Sequence, residues 1–185
     1  GAYQDSIVAA ASVIRAASVG TLDAPRFIAR MRYPAYYLDA VQTGADRFNL
    51  DPLLLLALIR HESLFDTYAT AAAGEKGLTQ VIPPTADYIA AQLGYSNFNH
   101  NLLFRPVTSV EFGSFYLREQ LSRFNENVTA ALAGYNAGPG RALAWIDLSG
   151  GDHNLFLTAI TIDSTRTYVQ RIYSFYNIYR TLYGG

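Results

Sequence analysis

The stretch that decides the fold reads Asp51-Pro52-Leu53-Leu54-Leu55-Leu56-Ala57-Leu58-Ile59-Arg60-His61-Glu62-Ser63-Leu64-Phe65. An aspartate followed by proline is a helix start: the carboxylate caps orphan N–H groups, and proline suits the first helical position. The spacing predicts a helix over 52–65. On it Leu55, Leu58 and Ile59 mark a buried stripe, and Glu62 continues that stripe. Arg60 points roughly to the opposite side, and His61 about 100° away from Glu62. A carboxyl on an apolar face is desolvated, which penalises its charged form. A carboxylic acid that keeps its proton is what a general acid needs. The other reading is a buried glutamate satisfied by backbone donors, and the helix alone leaves both open.

Outward from this helix the punctuation stays helical. A first helix over 5–19 ends at Gly20, and a segment opened by Asp23 and Pro25 is interrupted by Pro34 and resumes to Phe48. Residues 66–82 read as irregular, with Gly74 and Gly77. Further helices are expected from Pro84 to Gly94, Pro106 to Phe124, and over 128–136, 140–147 and 153–160. The last, over 164–183, is capped by Asp163 and closed by Gly184–Gly185. No stretch alternates with period two for long, so the fold is mostly α. Tyr168, Ile172, Tyr176, Tyr179 and Tyr183 form one stripe on the last helix, read as core with hydroxyls reaching the rim; Tyr168, in the first turns, is kept apart as a groove candidate.

Composition removes whole classes of function. The chain has 185 residues, 50% of them apolar, and 14 Lys+Arg against 15 Asp+Glu. A net charge of −1 argues against a nucleic-acid footprint and a polybasic membrane patch. Without cysteine there is no disulfide framework, thiol nucleophile or cysteine metal site. The longest apolar run, Leu53 to Ile59, is too short to span a bilayer. His61, His100 and His153 show no metal-ligand spacing, and no cofactor is called for. The chain opens on Gly1, as a trimmed or mature product would, so a removed leader or anchor would leave no trace in it. Nothing calls for an oligomer, and a monomer is expected.

Two further segments surround the glutamate with context. Gly74-Glu75-Lys76-Gly77-Leu78-Thr79-Gln80 precedes Ile82-Pro83-Pro84-Thr85-Ala86, and Ala133-Gly134-Tyr135-Asn136-Ala137-Gly138-Pro139-Gly140 follows later. Such glycines let backbone approach a ligand closely. Taken in order, Glu62-Ser63, the Gly74/Gly77-Leu78/Gln80 loop, the Pro83-Pro84-x-Ala86 start and Tyr135 to Gly140 resemble the soluble lytic transglycosylase domain, a family related to goose-type lysozymes. Phe112-Gly113-x-x-Tyr116-Leu117, Trp145 and Thr165-Arg166-x-Tyr168-Val169 agree with it, and the likeness runs over roughly 33–182.

The resemblance implies a mostly helical, lysozyme-like domain with a cleft, occupying 33–185 behind an N-terminal helical extension at 1–32. It implies a bacterial, extracytoplasmic enzyme acting on peptidoglycan in the periplasm, cell wall or outer surface. The reaction would be cleavage of the β-1,4 bond between N-acetylmuramic acid and N-acetylglucosamine, leaving a 1,6-anhydromuramic acid end. Glu62 would be the single catalytic acid and base. Ser63, Gly77, Leu78, Gln80, Tyr135, Asn136 and Tyr168 would bind substrate, although Ser63 is equally well read as capping its helix. Glycosidases usually use two carboxyl groups, and substrate assistance is the recognised exception. Asp66, Glu75 and Asp87, the last on the next helix, are the other carboxyl groups considered. With Asp66 or Glu75 activating water, the same fold would be a muramidase or chitinase-type hydrolase.

The sequence also departs from the family pattern. Ala71 stands where serine is usual, Glu75 replaces a small residue, and Thr79 and Ile82 replace methionines. Thr158, Thr161 and Ser164 occupy acidic or proline positions. Ala71 favours a third reading, a glycan-binding module without catalysis, and the intact Glu62 opposes it.

Overall fold

A computed structural model describes residues 2–152 and 154–184. The elements are α1 (Ala2–Ala16), α2 (Arg26–Arg32), α3 (Leu38–Phe48), α4 (Pro52–Ser63), α5 (Pro83–Gln92), a 3₁₀ turn (His100–Phe104), α6 (Pro106–Arg123), α7 (Val128–Ala137), α8 (Pro139–Leu148), α9 (Phe156–Ala159) and α10 (Asp163–Tyr183). The mostly helical expectation holds. Among the described residues the only strand-like pairing is two isolated antiparallel bridges, Thr70 with Lys76 and Lys76 with Val81. No helix among them is long and apolar enough to cross a membrane.

The chain divides into two compact units, residues 1–114 with 175–185, and residues 115–174. Helix α4 organises the first. The Asp51 carboxylate accepts the Leu53 N–H at 2.8 Å, and Pro52 opens the helix as read from the sequence. Burial is more complete than a stripe, however. Every residue from Leu54 to Ile59 is at most 3% exposed, so the helix is enclosed on all sides. Each buried leucine there contributes roughly 1.5–3 kcal/mol.

The C-terminal half of α10 fastens the first unit with its tyrosine hydroxyls. Tyr179 donates to the Pro34 carbonyl at 2.8 Å, Tyr183 to the Tyr33 carbonyl at 2.8 Å, and Tyr176 to the Asp51 carboxylate at 2.6 Å. Arg26 and Arg30 of α2 both donate to the Leu182 carbonyl. The core reading of this part of the stripe is right. Residues 1–32 belong to the same unit, where Tyr3 of α1 stacks on Tyr36 with ring centres 3.9 Å apart.

In the second unit α7 plays the central part, with Ala130 to Ala133 fully buried. Asn127 caps it by accepting the Ala130 N–H, and α8 and α9 pack beside it.

Most boundaries differ from the sequence reading by a residue or two, and four differences are instructive. Helix α1 ends at Ala16, short of Gly20, and α4 stops at Ser63 because Leu64 and Phe65 both turn left-handed. The expected helix over 153–160 shrinks to Phe156–Ala159, while His153 lies outside the described residues, as does Gly185. Asp163 is the first residue of α10 and pairs with Arg166 one turn on, instead of standing before the helix as a cap.

Candidate active site

Glu62 sits in the last turn of α4 and is half-buried. Its helix is held from behind by Arg60, which sequence reasoning placed only on the opposite side. The structure buries Arg60 to 7% exposure, its guanidinium 4.1 Å from the Tyr33 ring centre and 4.4 Å from that of Phe175. Arg60 Nε donates to the Arg32 carbonyl at 3.1 Å. Burial pulls its pKa down from the ordinary arginine value, and the adjacent tyrosines oppose that shift. Two aromatic faces and a carbonyl thus take the place of a carboxylate partner.

After Ser63 the backbone is unusual. Leu64, Phe65 and, further along, Gln80 are non-glycine residues at positive φ, a conformation that costs energy and collects at functional sites. Ser63 joins the helix end to this loop. Its hydroxyl donates to the Leu78 carbonyl at 2.9 Å and approaches that of Ile59 at 3.2 Å. Gln80 Nε2 donates to the carbonyls of Ala69 at 3.0 Å and Gly77 at 2.8 Å, closing the loop on itself.

Gly77 has φ of 77°, and a Cβ there would lie 1.9 Å from the Leu103 carbonyl oxygen. The 3₁₀ turn at His100–Phe104, absent from the sequence reading, is thus what the loop packs against. Thr79, at a usual methionine position, is fully buried. Its hydroxyl donates to the Ser109 carbonyl at 2.8 Å, and its side chain fills the space left by Gly113.

The other carboxylates of this segment are engaged locally. Asp66 accepts the Tyr68 N–H at 2.9 Å, and Glu75 accepts the Ala73 N–H at 2.9 Å. Ala71 is exposed and uses its backbone N–H on the Glu75 carbonyl. His100 pairs with Asp87 at 2.8 Å.

The second unit holds the remaining candidates. Tyr135 is half-buried, its ring 5.2 Å from that of Tyr116. Burial pushes the Tyr116 hydroxyl up, and Glu119 adds to the effect. Asn136 is exposed, with Oδ1 accepting the Thr165 hydroxyl at 2.8 Å. Tyr168, on the helix turn after Thr165, is only 5% exposed. Thr161, a departure from the family pattern, accepts the Trp145 indole N–H at 3.0 Å. The structure thus joins Ser63 to Leu78 and Gln80 to Gly77 in the first unit. In the second it ties Asn136 to Thr165, at the start of the helix that carries Tyr168.

The profile described as "Transglycosylase SLT domain" matches residues 39–154, a stretch that contains Glu62, the loop to Gln80, Tyr135 and Asn136. The chain belongs to that family. It is 30% identical over 158 residues to the soluble lytic murein transglycosylase of Escherichia coli, covering 83% of this chain and 24% of that protein. A Salmonella typhimurium protein of the same name is 29% identical over 156 residues, again 83% and 24%.

Solved structures agree. The 70-kDa soluble lytic transglycosylase of Escherichia coli superposes with a TM-score of 0.79 at 28% identity, covering 84% of this chain and 26% of that one. An inactive glutamate-to-glutamine mutant of the Pseudomonas aeruginosa lytic transglycosylase Slt gives 0.77 at 27%, covering 96% and 30%. The chain therefore spans about a quarter of the length of the curated relatives it matches.

Proposed function

We propose that this chain of the SLT family is a lytic transglycosylase that cleaves the β-1,4 bond between N-acetylmuramic acid and N-acetylglucosamine in peptidoglycan, outside the cytoplasm. One observation carries the reading. Glu62 is presented from the end of a helix enclosed from Leu54 to Ile59, whose last turn is fixed by the Arg60 stack and by the Ser63–Leu78 bond. Preorganised support of this kind is what positions a catalytic acid. The inactive Pseudomonas mutant, with glutamine in place of a glutamate, supports the same residue type in the same family.

The chemistry then needs only one carboxyl group. Glu62 gives its proton to the glycosidic oxygen as the C1–O bond breaks, releasing the N-acetylglucosamine side as an alcohol. The positive charge developing at C1 of the muramic acid is stabilised by that sugar's own N-acetyl oxygen. The Glu62 carboxylate then takes the proton of the C6 hydroxyl, whose oxygen closes on C1. A 1,6-anhydro ring forms, Glu62 is protonated again, and no water is consumed. The Glu75 carboxylate accepts an N–H of its own loop, which favours this route over a hydrolase that uses Glu75 as its second carboxylate. On this reading Gln80, Tyr135, Asn136 and Tyr168 contact or frame the glycan.

The test is release of soluble muropeptides from purified sacculi by wild type and Glu62→Gln. Loss of the acid and base should lower the rate by about 10²–10⁴-fold, and equal rates would remove Glu62 from the mechanism.

A further inference from the structure

A cavity of about 250 Å³ in the first unit lies between the N-terminal helix and the start of the loop that follows α4. It is lined by Tyr3 and Gln4 of α1, by Tyr37, and by Phe65, Asp66 and Tyr68. Phe65 and Asp66 follow Glu62 by three and four residues, so the cavity begins where the catalytic helix ends. We propose that this cavity binds an ammonium group carried on an aliphatic arm, held by the Asp66 carboxylate between the tyrosine rings.

The charge balance of the lining points to a cation. Asp66 is the carboxylate of the lining, and among the described residues no lysine or arginine lines the cavity. Asp66 Oδ1 accepts the Tyr68 N–H, while among the described residues Oδ2 has no hydrogen-bond donor. A neutral ligand would cover that oxygen and leave its charge uncompensated between apolar walls. An ammonium compensates it and donates to it.

The rings favour the same ligand, because the face of a tyrosine attracts a cation within about 6 Å. Tyr3 stands edge-on to Tyr37 with centres 5.5 Å apart, and Tyr68 is 74% exposed at the mouth. The Tyr37 hydroxyl is pushed above its ordinary pKa by burial first, then by Tyr3 and Asp66, which fits a site of negative potential. The volume lies below the roughly 300–1,000 Å³ typical of whole small-molecule sites, as suits a single side chain. Tyr3 and Tyr37 also lie outside the family-matched stretch, so the site depends on how α1 is docked.

If the chain acts on peptidoglycan, the diamino acid of a stem peptide is the source of such an arm. That identification rests on the proposed function; the cation site does not.

The experiment titrates the whole protein with Nα-acetyl-lysine methylamide and with its Nε-acetylated, neutral counterpart, followed by NMR. The cationic probe should bind at least about tenfold more tightly, the scale expected of a desolvated cation over tyrosine. Asp66→Asn keeps an oxygen for the Tyr68 N–H and should abolish that preference. Tyr3→Leu, on an exposed position of α1, should weaken the cationic probe several-fold and gives a second readout should the aspartate variant fold poorly. Equal binding of the two probes, or a preference that survives both substitutions, would overturn the site.

Purified muropeptides with stem amines free or acetylated then test the source. A loss of binding on acetylation supports the stem peptide, and unchanged binding rejects it. Failure to cleave sacculi would refute the enzymatic reading while leaving the probe titration valid.

Discussion

Replacing Gly77 by alanine should disrupt the loop that follows α4, and three glycines of this chain separate the contributions. Gly140 lies in the first turn of α8, has no atom near its would-be Cβ and needs no positive φ. Gly140→Ala should be neutral or stabilising by up to about 1 kcal/mol, the helix-propensity difference. Gly138 has φ 89° and ψ 149°, but also open space around the Cβ position. Gly138→Ala therefore isolates the backbone cost, of order 1–3 kcal/mol.

Gly77 combines a φ of 77° with a Cβ position 1.9 Å from the Leu103 carbonyl oxygen and 2.8 Å from Ser109 Oγ. A carbonyl oxygen cannot rotate away as a side-chain tip can, so backbone must shift, adding about 1–3 kcal/mol as overpacking does. The sum is roughly 2–6 kcal/mol. At about 2–4 °C per kcal/mol for a domain of this size, Tm should fall by at least about 4 °C and by as much as about 24 °C. Differential scanning calorimetry of the three variants reads the order directly. If Gly77→Ala melted no lower than Gly138→Ala, the close packing of the loop on the 3₁₀ turn would be refuted.

Other perturbations test separate parts of the account. Ser63→Ala removes the donor to the buried Leu78 carbonyl and should cost about 1–3 kcal/mol in urea unfolding, with a parallel loss of sacculus-cleaving activity. Arg60→Lys keeps the charge but loses the planar stack between Tyr33 and Phe175, so its Tm should drop by several degrees despite the conservative change. An unchanged Tm would show that the stack contributes nothing. Tyr95, whose hydroxyl donates to Glu111, has its pKa pushed up to about 12 by burial first and by Glu111 next. A raised folded-state pKa keeps its stabilisation below pH 10 and loses it as pH climbs towards 12. Urea midpoints measured across that range should fall, and Tyr95→Phe should make the fall shallower.

Much of this arrangement was legible in the sequence because it rests on local chemistry. Asp51–Pro52 announces α4 through a cap and a proline, and the glycines at 74 and 77 announce a tight loop. The tyrosines of α10 recur at helical spacing, which is enough to read a packed face. What could not be read depends on partners distant in the chain. Arg60 looks like an exposed charge until Tyr33 and Phe175 close on it. Ser63 looks like a helix cap until Leu78 supplies an acceptor. The 3₁₀ turn at 100–104 is too short to show a period, although Asn99, which accepts the Asn101 N–H, was a usable start signal. Burial all round α4 was also hidden, since the sequence marked only one stripe of it, through Leu55, Leu58 and Ile59. The cavity beneath Tyr3 joins residues from α1 and from the chain after α4, and no motif spans both.

The central claim is that one glutamate cleaves the glycan without water. The measurement that tests it most directly is the mass of the muramic acid ends released from purified sacculi, wild type beside Glu62→Gln. The account predicts ends one water lighter than a hydrolysed sugar from the wild type, and no such ends above background from the variant. Ordinary reducing ends from the wild type, or anhydro ends undiminished in Glu62→Gln, would contradict it.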